Sequence, residues 1–486
     1  MDLGYEARRI VDVGWALWLS HRLVRHDHWP REAILRYRQE RLAAMVRHAA
    51  ARSEFYRELY CGIDLTGPIA LDTLPVTDKP SVMANFDRLV TVPRLKLADL
   101  QAHLRGLQRD SYYRGEYRVL ATAGTSGYRG VFVFNRREWR MELANALRWH
   151  RLMGVEPRLF PRVKISAIGA GSPMHVSARL TESGNVGLFK FQLLEATAAL
   201  SSLVAALNAF QPEVLLSYSS VAALLAAEQS AGRLRIRPRV ISVHSELLTA
   251  GMARKIETAW GIRPFNHYGL TELSTFSADC DRHCGMHMLD DLFIAEIVDD
   301  TFRPVAPNVL GTRLLLTNLY NYTQPLIRYE VSDMLALSPA SCACGRPFPL
   351  ISAISGRGEE CLRLAAPDGR EVVVTPMILS AAIESFDEIV EFQLDCAPDL
   401  VRACIVPRGI PLASLSDRVG QQLAERLRVV GAIPPRIEVE LVSALDRSGG
   451  RMGKLKLVRF APAPVARELP GAEKQSTGLL SSPPDS

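Results

Sequence analysis

Over "EARRIVDVGWALWLSHRLVRHDHWPREAILRYRQERLAAMVRHAAARSEFY" apolar residues recur at helical spacing with basic residues between them, which predicts two or more amphipathic helices. From Val119 to about Pro349 the pattern changes. Short β-rich runs ("VFVFN", "RVKISAIG", "EVLLSY", "RVISVHS", "GTRLLLTNL") alternate with Ala- and Leu-rich helical runs ("MELANALRWHRLM", "LLEATAALSSLVAALNAF", "SVAALLAAEQSAG", "TAGMARKIETAW"). That alternation predicts α/β layers. After "GRGEE" the units shrink to "EVVVT", a helix from about Pro376, "EIVEFQLD", "RACIVPRG", a helix from Leu415 to about Val430, and "RIEVELV". They predict a compact α+β module of roughly a hundred residues. The closing "PAPVARELPGAEKQSTGLLSSPPDS", rich in Pro, Ser and Gly, has little to bury and is expected to be disordered. The expected fold class is α/β, a large multi-layered N-terminal domain over 1–355 that includes the helical start, then a small α+β domain over 356–462 and a tail over 463–486. There is no internal repeat.

Composition narrows the function. The chain has 486 residues, 48% hydrophobic and 23% charged, enough to bury a large core over two or three domains. Its net charge of +6 comes from scattered arginines, which suit anionic small molecules and are too diffuse to indicate nucleic acid. No apolar run approaches the roughly 18 residues that suggest a transmembrane segment. Asp2 and Glu6 fall where a secretory leader would be basic, so a cytoplasmic protein is expected. The basic opening helices could lie on a membrane surface, although a solvated face is the plainer reading.

Among the eight cysteines, Cys280, Cys284, Cys342 and Cys344 cluster, and the chain does not read as a secreted disulfide scaffold. "CDRHCGMH" and "CAC" offer ligands for a closed tetrahedral zinc site. The first choice is Cys280, Cys284, Cys342 and Cys344, with His283 or His287 replacing one of them; thiols packed in a core are the alternative. Cys61, Cys361, Cys396 and Cys404 look isolated.

Other stretches point to anion chemistry. "ATAGTSGYRG", Ala121 to Gly130, lies between the apolar run "RVLATA" and "VFVFN", a strand-turn-strand connection rather than the strand-turn-helix of a P-loop. It is either a plain Gly-rich hairpin or a nest of amides and hydroxyls for phosphates. "FNHYGLTEL" brings Tyr268, Gly269, Thr271 and Glu272 together, a set that could stack on a base, bend the chain, donate to a phosphate and hold magnesium; a Tyr-Gly turn before a helix is the bland reading. Asp333 follows an apolar strand in "PLIRYEVSDMLAL", and Lys454 sits in the glycine-flanked loop "LDRSGGRMGKLKLVRF". His175 in "GSPMHVSARL" and Tyr218 to Ser220 in "LLSYSSVAAL" could line a substrate pocket, the latter as a strand end and helix N-cap.

In this order, with "HAAARSEFYRELY", "LPVTDKPSVMANFD", "TAGTSGYRGVFVFNRREW", "IRYEVSD" and "GRGEE", these motifs resemble the adenylate-forming superfamily, specifically its phenylacetate-CoA ligase branch with the CapK-like and deazaflavin-coenzyme-adenylating relatives. The resemblance spans nearly the whole chain. It implies an adenylation domain with a mobile C-terminal lid that turns on a hinge near Gly356 to Glu360. By motif, Thr125, Ser126 and Gly127 would wrap the ATP phosphates, Glu246 would lie at the adenine edge, and Tyr268 would stack on adenine beside Gly269. Thr271 would meet the α-phosphate, Glu272 would bind Mg2+, Asp333 would take the ribose hydroxyls with Arg357 nearby, and Lys454 would bridge carboxylate and α-phosphate.

The implied reaction joins a small-molecule carboxylic acid to ATP as an acyl- or aryl-adenylate, then passes the acyl group to a thiol of coenzyme A or an acyl carrier protein. AMP transfer to a hydroxyl or phosphate, amide formation, and a catalytically silent scaffold are the alternatives; a monomer or homodimer is expected. Two departures stand out. The glycine loop continues Tyr128, Arg129, Gly130 where many relatives have Lys-Pro, and Glu359 and Glu360 stand where an aspartate is usual. Lys456 is close enough to Lys454 to compete for its role.

Overall fold

A computed structural model describes residues 3–122, 130–158, 160–169, 173–357, 361–383, 386, 388–409, 414–445 and 457–460. Thr125, Ser126, Gly127, Lys454, Lys456, Glu359, Glu360 and the tail lie outside the described residues. Helices α1 (Leu3–His26), α2 (Arg31–Arg52), α3 (Glu54–Leu59), α4 (Lys79–Ala84), α5 (Phe86–Leu89) and α6 (Leu97–Arg105) come first. The hairpin β1 (Tyr117–Ala121) and β2 (Val131–Asn135) follows, antiparallel as the strand-turn-strand reading requires, then α7 (Arg136–Leu152). Asn135 and Glu138 start α7 with a reciprocal capping box.

The central sheet then builds up as β3 (Lys164–Gly169), α8 (Val176–Gly184), β4 (Lys190–Glu195), α9 (Leu200–Phe210), β5 (Val214–Tyr218), α10 (Ser219–Ser230), β6 (Val240–His244), α11 (Ala250–Trp260) and β7 (Phe265–Tyr268). Its antiparallel side adds β8 (Ser277–Ala278) and β9 (Met286–Met288). A side sheet follows, with β10 (Phe293–Val298), β11 (Arg313–Asn318) and β12 (Tyr329–Val331), before β13 (Asp333–Leu337) and β14 (Leu350–Arg357) return to the central sheet. One expectation needs correction. "LLE" at 193–195 is not the start of a helix but the end of edge strand β4, which pairs in parallel with β3.

Among the described residues the central sheet has nine strands in the order β13-β14-β9-β8-β7-β6-β5-β3-β4. Strands β4, β3, β5, β6 and β7 run parallel, each linked to the next in sequence by a helix, whereas β8, β9, β14 and β13 pair antiparallel. Period-two alternation covers both faces of the parallel part. Ile165, Val214, Leu216 and Val240 join one core with α1 and α7, while Ile168, Leu215, Ile241 and Val243 join another under α9, α10 and α11.

A third core belongs to the C-terminal unit. There β15 (Leu362–Ala365) and β16 (Glu371–Val374) form a hairpin, and α12 (Pro376–Ile383) and α13 (Leu415–Val429) pack on a sheet ordered β19-β18-β17-β20. Those strands are β17 (Ile389–Cys396), β18 (Leu400–Pro407), β19 (Arg436–Leu441) and β20 (Val458–Phe460). The Lys255 ammonium of α11 donates to the carbonyls of Ile389 and Val390 at 3.2 and 3.1 Å, tying this unit to the central sheet. No described helix is long and apolar enough to cross a membrane. On α1 the exposed face carries Arg8, Arg22 and Arg25 but also Val11, Trp15 and Trp18, so it is not simply a solvated basic face.

Candidate active site

The order of the parallel strands locates the site. The chain goes from β3 outward to β4, then returns to β5 on the other side of β3. Such a switch point leaves a crevice at the carboxyl ends of the strands, where ligands bind in open α/β sheets. Here those ends present Gly169, Tyr218, His244 and Tyr268.

Next to Tyr268 the loop 269–276 is closed on itself. Leu270 and Leu273 exchange backbone hydrogen bonds at 3.1 and 3.3 Å, and Phe276 N–H donates to the Tyr268 carbonyl at 3.1 Å. A Cβ on Gly269 would lie 2.2 Å from the Ser274 carbonyl oxygen, so only glycine fits. The turn leads into β8 rather than a helix. Below it α7 supplies Glu142, whose carboxylate accepts from the Ser274 hydroxyl and backbone N–H and from the Tyr320 hydroxyl, while the Asn145 amide donates to the Thr275 carbonyl at 2.9 Å. Burial pushes the Glu142 carboxyl up to about 7, and the same cause raises Glu138 to about 7.

Several residues singled out from the sequence meet here. The Tyr268 hydroxyl donates to the Asp333 carboxylate, and Glu272 is buried with its carboxylate accepting from the Tyr329 hydroxyl at 3.1 Å. Thr271 is half-buried in the loop between them. Asp333 opens β13 directly opposite Arg357 of β14, and Gly356 beside it has φ +95°. Glu246 has a clear local task. Its carboxylate accepts from the Ser220 N–H at 2.9 Å, and its carbonyl accepts from the Ser219 hydroxyl at 3.2 Å, so a residue from the loop after β6 holds the start of α10. The stretch is the strand end and helix N-cap that was expected: β5 ends at Tyr218, which is the N-cap residue of α10 and makes no side-chain capping bond.

Beside the loop lies a cavity of about 470 Å³. Leu143, Ala146, Leu147 and His150, one face of α7, line it together with Val176, Leu180 and Gly184 of α8 and Ala167, Phe191 and Leu193 of β3 and β4. His267 and Gly269 bring it to the 269–276 loop. His175 and Tyr218 are not among its described lining residues. His175 is the N-cap residue of α8, and Tyr218 is buried at the end of β5. Sequence reasoning missed Trp149 and His267, whose rings stack at 4.1 Å, and Gln324, which accepts from Val133 N–H at 2.8 Å and donates to the Val131 carbonyl at 3.1 Å. The "NYTQP" turn that carries Gln324 is the signal that could have flagged it.

The metal-competent cluster forms on the antiparallel side from Cys280, His287, Cys342 and Cys344, whose ligand atoms lie within 4.8 Å of one another. His287 thus takes the place expected for Cys284. The turn 281–285, with His283 at φ +49° and Gly285 at φ +126°, leaves Cys284 exposed, while β9 pairing sets His287 opposite Leu350 and Ala278. His283 pairs with Asp279 at 2.7 Å instead. The cluster fits zinc: a tetrahedron with bonds of about 2.3 Å has sulfur–sulfur edges near 3.8 Å, and Cys280 and Cys342 stand 3.8 Å apart. Cys344 Sγ lies 3.3 Å from His287 Nε2.

No protein-family model matches the chain. By sequence it is 26% identical over 377 residues to the phenylacetate-coenzyme A ligase of Thermus thermophilus, covering 74% of this chain and 77% of that protein. It is 24% identical over 388 residues to the phenylacetate-coenzyme A ligase of Pseudomonas putida, covering 75% and 79%. By structure it is similar to a 2-hydroxyisobutyryl-CoA ligase in the postadenylation state in complex with 2-HIB-AMP, with a TM-score of 0.72 and 19% identity over 90% of this chain and 91% of that one. The anthranilate CoA ligase AuaEII in complex with anthranoyl-AMP gives a TM-score of 0.52 at 16% identity over 69% and 64%. The fold is that of the adenylate-forming CoA ligases. The curated homologues are phenylacetate-CoA ligases, so the family resemblance, the fold class and the reading as an adenylate-forming ligase are borne out.

Proposed function

We propose that this chain activates a carboxylic acid with ATP as an acyl- or aryl-adenylate, releases pyrophosphate, and passes the acyl group to coenzyme A. The observation that supports this most is the meeting of Tyr268, Thr271, Glu272 and Asp333 at the switch-point crevice, beside an apolar cavity large enough for an acid. A nucleotide in the crevice would place its sugar hydroxyls on Asp333 and its base against Tyr268, with Arg357 of the facing strand nearby and Glu246 at the base edge. Thr125, Ser126 and Gly127 are assigned to the phosphates by the family resemblance. Thr271 would donate to the α-phosphate, and Glu272 would hold Mg2+, which offsets phosphate charge when bound.

Bringing a carboxylate to the α-phosphate sets two anions together, so fixed cations and donors must stabilise the transition state. Lys454, assigned by the resemblance, supplies the needed charge. The C-terminal unit, 356–462, acts as a lid that carries Lys454 in and out, with Gly356 at the hinge. The Cys280, His287, Cys342 and Cys344 set takes a structural zinc ion: four protein ligands leave no open position for catalysis. A cytoplasmic monomer or homodimer completes the reading, with an acyl carrier protein as the other thiol source.

Acid-dependent exchange of labelled pyrophosphate into ATP tests the reading. Exchange is expected with the native chain and should fall at least about 100-fold in Lys454→Ala, the scale of losing one transition-state charge contact. Undiminished exchange in that variant would remove Lys454 from the mechanism. A product that retains AMP, seen by mass spectrometry, would replace thioester formation with adenylyl transfer.

A further inference from the structure

Helix α1 packs by one side on α7, and its other side is apolar where a solvated helix would be polar. Ile10, Val11, Trp15 and Trp18 are 49–59% exposed. Of the six tryptophans in the chain only Trp15 and Trp18 are exposed, and their rings meet edge to face at 5.6 Å. At about 100° per residue, these four side chains and those of Arg22 and Arg25 fall within an arc of about 140°, a stripe roughly 22 Å long. Asp12, Val13, Ala16, Ser20 and Leu23 fill the opposite arc and are buried. Asp12 accepts from Arg136 and Arg140 of α7 at 2.8 and 2.6 Å, so the helix is held to the body and the stripe faces outward.

The charges around the stripe have one sign. Every exposed charged residue described on α1 is an arginine: Arg8 near its start, Arg22 and Arg25 at its end. On α7 the charged residues that are not buried are Arg136, Arg137, Arg140 and Arg151, whereas Glu138 and Glu142 are buried. Two guanidinium groups lie against the stripe itself, Arg140 at 5.8 Å from the Trp15 ring centre and Arg22 at 5.1 Å from that of Trp18. Tryptophans in the middle and arginines at both ends match a bilayer surface, where indole rings settle at headgroup level and guanidinium groups pair with phosphates. We propose that this face of α1 docks the protein on an anionic phospholipid bilayer, inserting Ile10, Val11, Trp15 and Trp18. The helix lies in the plane of the surface, since its opposite arc is committed to the protein core. A second copy fits less well. A two-fold contact that buried the stripe lengthwise would set arginine against arginine, whether the helices ran parallel or antiparallel. Docking through α1 needs none of the ligase chemistry.

Co-sedimentation of the full chain with vesicles tests this, phosphatidylcholine alone against phosphatidylcholine mixed with phosphatidylglycerol. The native chain should bind the mixed vesicles, more weakly as salt rises, and leave the neutral ones in solution. Its tryptophan emission should shift to the blue on binding. Trp15→Ser with Trp18→Ser should lower the affinity at least about tenfold. Arg22→Gln and Arg25→Gln should each lower it about fivefold. Arg237→Gln with Arg254→Gln, exposed arginines outside α1 and α7, should leave it unchanged. Failure to bind mixed vesicles overturns the proposal, as does equal affinity for both kinds. An equal loss in the Arg237 and Arg254 variant also overturns it, because attraction would then come from bulk charge. A dimer in solution that the serine variant splits, with no lipid binding, would give the stripe to a second copy. Binding to soluble polyglutamate but not to vesicles would give it to an acidic protein. The comparison of mixed with neutral vesicles uses the native chain, so a misfolded variant cannot mask the answer.

Discussion

The two sides of the central sheet are held together differently. On the parallel side, β3, β5 and β6 have apolar side chains on both faces and helices to cover them, so packing carries these strands. On the antiparallel side, β8 and β9 span only Ser277–Ala278 and Met286–Met288, and the local apolar cluster comprises Cys280, Cys342 and Leu350, with Cys344 against it. Polar links add there to the packing of Ala278, Met286, Met288, Leu335 and Ile351 in the main core. The Cys/His cluster joins the loop after β8 to the β13–β14 loop, and Arg148 of α7 donates to Asp27 at 2.8 Å and to both oxygens of Asp291 at 2.9 and 3.0 Å. Arg31 and Arg38 both pair with Asp290. The difference teaches where precision comes from: this side carries Asp333 and Gly356, and it adds directional bonds to that burial in the main core.

The sharpest way to break this contrast is to remove a ligand of the cluster. Structural zinc contributes folding free energy outright, of the order of 10 kcal/mol in small zinc peptides. Cys342→Ser should therefore lose bound zinc, measured by elemental analysis, and lose hydrogen-exchange protection over β8, β9 and the β13–β14 loop first. Protection in β3, β5 and β6 should persist. Equal loss on both sides would show that the two sides unfold as one unit and that the contrast has no energetic meaning.

A smaller effect is expected from Arg148→Met. Arg148 is fully buried, and its loss leaves Asp27 and Asp291 facing each other without their shared cation. Breaking a buried pair in this way costs about 3–5 kcal/mol. Burial raises the Asp291 carboxyl, yet Arg148 and His26 together hold it below its ordinary value in the native chain. Chemical denaturation should show the loss, and a double variant that also carries Asp291→Asn should recover part of it. No recovery would mean that Arg148 acts through packing against the Phe348 ring, 4.8 Å away, rather than through charge.

The sequence was most readable where local pattern and tertiary role agree. Runs such as "EVLLSY" and "RVISVHS" are apolar because both sheet faces are covered, and they became β5 and β6. The turn in "YGLTE" and the strand start in "VSD" were legible because Gly269 and Asp333 are fixed by their own turn and strand. β4 was hidden, because Leu193 and Leu194 sit on an exposed edge and run into a helix-forming segment. Cys284 was chosen over His287 because spacing along the chain does not say which side of a turn faces inward; the positive φ at His283 and Gly285 does. The cavity was not legible at all, since α7, α8, β3 and β4 contribute to it from separate stretches.

Glu142 gives the finest test, because it joins the two sides through one carboxylate: α7 on one hand, Ser274 and Tyr320 on the other. "REWRMELANALRWH" reads as a helix with a polar face, and nothing local reveals that this face is buried, for its partners lie far along the chain. Burial raises the Glu142 carboxyl from 4.5 to about 7. The folded chain therefore keeps a proton that the unfolded chain releases between pH 4.5 and 7. This contribution to stability is fully present below pH 4.5 and is lost as pH rises through 7. Glu142→Gln keeps the shape and removes the titration, so the difference in unfolding free energy between pH 5 and pH 7.5 should shrink by about 1–3 kcal/mol relative to the native chain. Glu138, raised to about 7 by the same cause, contributes with the same sign, and Glu138→Gln on top should flatten the dependence further. A steeper dependence in Glu142→Gln would mean that the carboxylate is charged in the folded chain, held by the Ser274 and Tyr320 hydroxyls, and that the contact between the two sides is a charged hydrogen bond rather than a shared proton.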